Sequence, residues 1–407
     1  MNLKALRTSE RIREVYRMSQ PSEIHIASTV RQLPYRSRLP GAFRPYRRAL
    51  FGLLLPFSFL LSGLAATNPY LTELVYSRGI YPVLAGIFGR VFGLFPFSAA
   101  EFIVFGGIAV VIGYLAVQIY RMVKRRDVKQ RALHILATLC CIGGVVYFLF
   151  TALCGLNYHR VTFADQSGLV IRPSSIPELA AVYAELVEKA NALRPLVAET
   201  QDGVMTLYPD SMFTVARRAP QGFAQLAEHY PVFAGFTPPP KPVLASRGMS
   251  WLGIGGVYFP FTFEGNVNVD MPDFNIPFTM LHELAHFKGF MREDEANFIA
   301  YIAAREMDDI AFQYSGVVMA LIYSGNALFA ADRELYRNIT AGLYPGVMRD
   351  FADNAAYWRQ FEGPISEAAT AMNDAYLRHN RQLDGVYSYG RMIDLMLADY
   401  RQRHGLN

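Results

Sequence analysis

Three long uncharged runs mark the first part of the chain: Ala49 to Ala66, Phe102 to Tyr120 and Ala132 to Cys154. Each is long enough to cross a bilayer, and Pro56 in the first is tolerated in a membrane helix. Tyr76 to Phe97 is apolar and aromatic but broken by Arg78 and Arg90, which predicts an interfacial or re-entrant segment. After residue 156 helical periods take over. Ser175-Ile176-Pro177-Glu178 is a capping box, and it opens a helix carrying Leu179, Val182, Leu186 and Leu193 on one face. Ser211 to Arg218 and Gln221 to His229 read as short helices divided at Pro220, and Pro238 to Pro242 as an extended connector.

Val257–Phe259, Phe261–Phe263 and Val267–Asp270 read as strands, with Glu264-Gly265 as a turn. The alternation in Asn266 to Asp270 predicts a half-exposed strand whose edge could pair with an extended peptide. The rest is helical. Ala311 to Ala330 has no charge, yet it carries Gln313, Tyr314, Ser315, Tyr323, Ser324 and Asn326. Those polar groups are costly in lipid, so a buried helix is predicted there rather than a fourth span. The fold class that follows is mainly α: a three-helix membrane anchor, then an α+β domain with a small sheet. The expected divisions are a tail at 1–48, a membrane part at 49–155 with spans at 49–66, 102–120 and 132–154, and a domain at 156–407.

A 52% hydrophobic content over 407 residues agrees with membrane spans. The net charge of +5 is placed where it speaks for topology rather than for nucleic acid. Residues 1–48 are basic, and so is the stretch Arg121, Lys124, Arg125, Arg126, Lys129 and Arg131 between the second and third runs. Two crossings separate these basic flanks, so both lie on one side, which the positive-inside rule makes the cytoplasm. Residues 156–407 are then expected outside a bacterial cytoplasmic membrane. Cys140, Cys141 and Cys154 all fall in or at the edge of the third run, so the outer domain has no disulfide framework.

The chemistry concentrates in Phe278 to Gly289, which contains His282-Glu283-Leu284-Ala285-His286. Two histidines four apart on a helix share a face and can bind one Zn²⁺, and Glu283 beside them can take a proton from a water on the metal. Pro277 suits a first turn and Gly289 a left-handed cap. The apolar neighbours Leu281, Leu284 and Ala285 predict burial, where two histidines and a glutamate need a compensating partner. A third ligand is required, with a further position open to water. Glu293 and Glu295 open the next helix and cannot both face the metal. Glu293 is preferred, with Glu295 second, and Asn297 on the same face as Glu293 is a candidate partner for a ligating histidine.

On these residues the run from Pro277 to Tyr301 resembles the gluzincin side of the zincin metallopeptidases. There a Glu-x-x-Ala-Asp/Asn helix supplies the third ligand, a pattern that falls on Glu293, Ala296 and Asn297. The CAAX prenyl proteases carry a similar signature with a much longer gap between the helices. The whole chain more closely resembles a bacterial membrane-anchored family classed as a domain of unknown function. The marks of that resemblance are Gly155-Leu156-Asn157-Tyr158, Tyr258 to Thr262, His282 to Tyr301, Tyr314-Ser315-Gly316 and Ser388 to Arg391, with Gly265 standing where Ala is expected. The resemblance implies a zincin-like domain and a zinc peptidase without a known substrate.

The expected function is zinc-dependent hydrolysis of peptide bonds outside the cytoplasm, by Glu283 as base and His282, His286 and Glu293 as ligands. The partners would be a peptide or protein substrate and the lipid bilayer, with no nucleic acid. Tyr389 and Arg391 are candidate donors to the oxyanion. His229, His379 and His404 read as surface residues. The alternative is a non-catalytic envelope-binding module with a structural or vestigial metal site.

Overall fold

The structure, a computed structural model, describes residues 50–125, 127–380, 382 and 384–406, with the side chains of Arg125 and Tyr389 excepted. The basic tail at 1–48 and Ala49 lie outside the described residues. Residues Arg48–Asn407 form one compact unit, mainly helical with a three-stranded sheet.

Among the described residues four helices, rather than three, are long and apolar enough to cross a membrane. Three of them match the expected runs: α1 (Leu54–Thr67), α3 (Ala99–Arg125) and α4 (Val128–Leu153). Between α1 and α3 lies α2 (Tyr81–Gly93). It continues a π-helical stretch at Glu73–Ile80, so residues 76–93 of the segment expected as interfacial or re-entrant are helical and 94–97 form a turn. Its buried face, Tyr81, Ala85 and Gly89, packs on the rest of the fold. Its two arginines do not break it: Arg78 pairs with Glu73 at 2.9 Å and Arg90 lies over the Phe236 ring.

Then come α5 (Ile176–Leu193) and α6 (Pro220–His229). The capping box at Ser175 and Glu178 forms as the sequence predicts. The sheet has the order β1 (Lys241–Pro242), β3 (Glu264–Val267), β2 (Gly256–Phe259), with β1 parallel and β2 antiparallel to β3. Two expectations are corrected here. Glu264 and Gly265 are strand residues, and the turn falls at Pro260–Phe263, where Phe263 takes a positive φ of 55°. The strand next to the motif is central, and β2 is the edge. The reason is long-range. The Glu264 carboxylate, buried, accepts from the backbone N–H groups of Ala99 and Ala100 at 3.2 and 2.8 Å and so caps the first turn of α3. Ser98 Oγ also donates to Asn266 Oδ1 at 2.6 Å.

The remaining elements are α7 (Asn275–Phe287), α8 (Glu293–Glu306), α9 (Ile310–Ala331), α10 (Pro345–Arg359), α11 (Pro364–His379) and α12 (Met392–His404). Helices α7, α8 and α9 pack in succession, the sheet covers α7, and α5 covers α9. Over half of the apolar window of α9 is buried (56%), against 0% in α3 and 17% in α4. Its Ser315 Oγ accepts from the Phe278 N–H at 2.9 Å and donates to the Phe274 carbonyl, which ties α9 to the first turn of α7. The core runs without interruption from Tyr76 and Tyr81 through Cys154 to the helices after residue 270.

Candidate metal centre

Helix α7 is buried along nearly its whole length, which its apolar residues on every side dictate. It ends as the glycine predicts: Gly289 has φ +86°, its N–H donates to the His286 carbonyl at 2.9 Å, and the Phe290 N–H reaches Ala285 at 3.1 Å. This cap turns the chain back at once, so that α8 starts beside the histidines. Segments next to the apolar helices hold the cap. Tyr81 donates through its hydroxyl toward the carbonyls of His286 and Phe287 at 3.1 and 3.2 Å. Arg160 donates to Glu73 at 2.8 and 3.0 Å and to the Lys288 carbonyl at 3.3 Å.

The imidazoles of His282 and His286 lie 4.7 Å apart and nearly perpendicular. Glu293 Oε2 is 3.1 Å from His282 Nε2 and 3.6 Å from His286 Nε2. One donor atom from each of the three falls within 4.8 Å of the others, close enough to share one cation. Glu295 does not join them. Its Oε1 accepts the Phe163 N–H at 2.8 Å, on another side of α8.

The surroundings fix which atoms face the cluster. His286 Nδ1 donates to the Phe290 carbonyl at 2.7 Å, which leaves Nε2 directed at Glu293. Asn297 lies in hydrogen-bond reach of His282 and of Tyr323 on α9. Glu283 is buried, and its Oε2 has no hydrogen-bond partner among the described residues. Two glycines make room for it. A Cβ at Gly256 would sit 2.3 Å from Glu283 Oε1, and one at Gly265 would sit 2.7 Å from Glu283 Cβ. The Ala expected at 265 would therefore push β3 off the helix.

Burial, helped by the neighbouring His286 charge, lowers the pKa of His282 against the opposing pull of Glu293. It would lower His286 too, but the Glu293 carboxylate more than reverses this and raises His286 to about 9. Burial would raise Glu293, yet the two imidazoles hold it well below the usual carboxylate range. Glu283 lacks such a partner, and burial pushes it up to about 8. Two carboxyls ten residues apart in sequence are thus driven in opposite directions, the pattern that separates a ligand from a proton carrier.

Other expected residues fall elsewhere. Arg391 is exposed and pairs with Asp384, and the Tyr389 side chain lies outside the described residues. His229 is exposed near Glu306, and His404 pairs with Glu185 at 3.2 Å. His379 is exposed but accepts or donates a 2.8 Å hydrogen bond with Tyr147. The sequence reading missed Tyr158 as part of the surroundings, although Gly155-Leu156-Asn157-Tyr158 already stood out as a block. Its hydroxyl pairs with that of Tyr376 at 2.9 Å, and both rings feel the Glu293 charge. Gln382 was also missed: its Oε1 accepts the Glu293 N–H at 2.9 Å and caps α8.

A family model described as a protein of unknown function, DUF3810, matches residues 76–397. The chain belongs to the DUF3810 family. The match takes in α2 to α12, and so both the cluster and the elements that hold it. Nothing among the curated proteins or the solved structures matches the chain.

Proposed function

We propose that this DUF3810 protein is a membrane-anchored zinc peptidase whose site lies outside the cytoplasm. The observation that carries the reading is the convergence of His282, His286 and Glu293 on one point, beside a carboxyl, Glu283, with an unused oxygen. Two imidazoles and one carboxylate are the donor set of catalytic zinc sites, which keep one position open. The unpartnered buried Glu283 Oε2 fits a site built to act on something further. Zinc, when bound, supplies Lewis acidity toward a carbonyl oxygen and acidifies a water.

The chain's own residues do the rest. His286, oriented by Phe290, and His282, beside Asn297, hold their rings toward Glu293. Glu283 accepts a proton from the attacking water and returns it to the leaving amine, and its raised pKa suits both steps near neutral pH. Edge strand β2 runs past Glu283 at Gly256 and has no strand on its outer side among the described residues. An extended peptide can pair there by main-chain hydrogen bonds. Tyr158 is better placed than Arg391 to donate toward a developing oxyanion.

The anchor is α1, α3 and α4, with α9 as an internal helix. The basic stretch Arg121 to Arg131 lies at one end of α3 and α4. At the other end, about 40 Å away along α3, the Glu264 cap and residues 155–160 join them to the metal centre. With the basic end in the cytoplasm, the centre is outside. The test is metal content and peptide hydrolysis of the purified full chain. One zinc per chain is expected, lost in His282→Ala, and Glu283→Gln should keep the zinc while hydrolysis falls roughly 10²–10⁴-fold. A folded wild type without zinc overturns the reading in favour of a binding module, and full hydrolysis in Glu283→Gln overturns Glu283 as the base.

A further inference from the structure

Helix α11 is amphipathic, and its apolar stripe is left exposed. At about 100° per residue, Ile365, Met372 and Tyr376 fall within roughly 40° of one another. All three are exposed, Met372 at 75%. Ala368 and Ala375 border this stripe and are exposed as well. Glu367, Asp374 and Arg378 lie on the opposite side. Two of them are engaged within the protein: Asp374 accepts from Arg378 at 2.7 Å and from the Val386 N–H at 3.1 Å. An exposed apolar stripe with the charges gathered on the opposite face, where Glu367 and Arg378 are exposed too, is what water disfavours and a lipid interface favours.

What lies beside the stripe identifies its occupant. The C-terminal end of α11 abuts the flanks of the apolar helices: His379 hydrogen-bonds Tyr147 of α4 at 2.8 Å and meets Phe59 of α1 edge-on at 6.0 Å. The Tyr376 ring lies 6.3 Å from Phe150 of α4. Tyr147 is six residues, about 9 Å, inside the outer end of α4. The stripe is therefore continuous with a surface that faces hydrocarbon, at the depth where interfacial helices sit.

We infer that α11 seats its Ile365–Met372–Tyr376 stripe in the outer leaflet of the bilayer. The inference rests on reading α1, α3 and α4 as spans. It bears on the metal centre because the same segment carries Tyr376 to Tyr158 and Gln382 to the first turn of α8. The metal centre then adjoins the lipid surface, and the substrate class it fits is a polypeptide stretch close to the membrane.

The test uses the full chain with Cys140, Cys141 and Cys154 replaced, reconstituted in phosphatidylcholine–phosphatidylglycerol vesicles. Single cysteines at Met372→Cys, Ile112→Cys on α3 and Met348→Cys on α10 carry an environment-sensitive fluorophore. Nitroxides on the lipid acyl chains act as quenchers. The expected result is strong quenching and a blue-shifted emission at positions 112 and 372, with neither at 348. Quenching at 112 with position 372 behaving like 348 overturns this inference and leaves the spans standing. An unquenched label at 112 overturns the span reading, and this inference falls with it.

Discussion

Two buried polar clusters stand within this fold, and they differ in one respect. Around Asp350 every group is answered. Its carboxylate accepts from Arg194 at 2.7 and 3.3 Å, from the Met205 N–H at 2.8 Å and from the Tyr314 hydroxyl. Arg194 uses its other donors on Gly203 and Glu199. Around His282 and His286 the accounting does not close: Glu283 keeps an oxygen without a donor, and two nitrogens and a carboxylate crowd one point. The first cluster is complete as a clasp between α5, α9 and α10. The second has binding capacity left over, and that surplus, more than burial or charge, marks a site.

The contrast can be broken by mutation. Asp350→Ala should cost about 3–5 kcal/mol of folding stability, because it strands the buried Arg194 charge, and thermal unfolding in detergent measures it. The same substitution should leave zinc affinity of the folded fraction unchanged. At the metal cluster the order reverses. Stripping the ion with a chelator should lower stability by about 2.7 kcal/mol relative to zinc at 100 times its dissociation constant, and His282→Ala should show no such difference. Gly265→Ala should cost about 1–3 kcal/mol through overpacking against Glu283. It should reduce hydrolysis by a larger factor than its stability loss explains, and kcat measured beside the melting curve decides this.

The smallest effect is in pH. In chelator-treated protein His286 titrates near 9, above its unfolded value of 6.5, so its contribution is whole below pH 6.5 and is lost as pH rises toward 9. Glu283, raised to about 8 from 4.5, acts in the same direction, since the unfolded chain ionises it first. Chelated protein should therefore melt lower at pH 9 than at pH 6. Glu293, held low, affects only more acidic solutions.

What the sequence disclosed was local. The motif helix, its glycine cap, the Ser175 capping box and the three apolar runs are written in neighbours a few residues apart. The polar residues of α9 were legible too, and Ser315 and Tyr314 are internal partners for Phe278 and Asp350, although α9 is also long and apolar enough to cross a membrane. The strand register was not legible, because Glu264 is a strand residue only by virtue of a helix start some 165 positions earlier. Nor was the role of α11 legible. Its apolar stripe looks ordinary until the fold sets the adjoining His379 against Tyr147 and Phe59 and Tyr376 beside Phe150. Glu293 was preferred to Glu295 from the sequence, and the structure brings Glu293 to the histidines while the Phe163 N–H occupies Glu295.

The Glu264 cap carries one more lesson. A carboxylate on the strand that borders Glu283 closes the first turn of an apolar helix, while Tyr81 and Glu73 brace the far end of the motif helix through its cap. No boundary near residue 155 separates an anchor from an independent catalytic module. The long apolar helices act as struts of the candidate site itself, so a trimmed fragment beginning at residue 156 would lose the bracing at both ends of the motif helix.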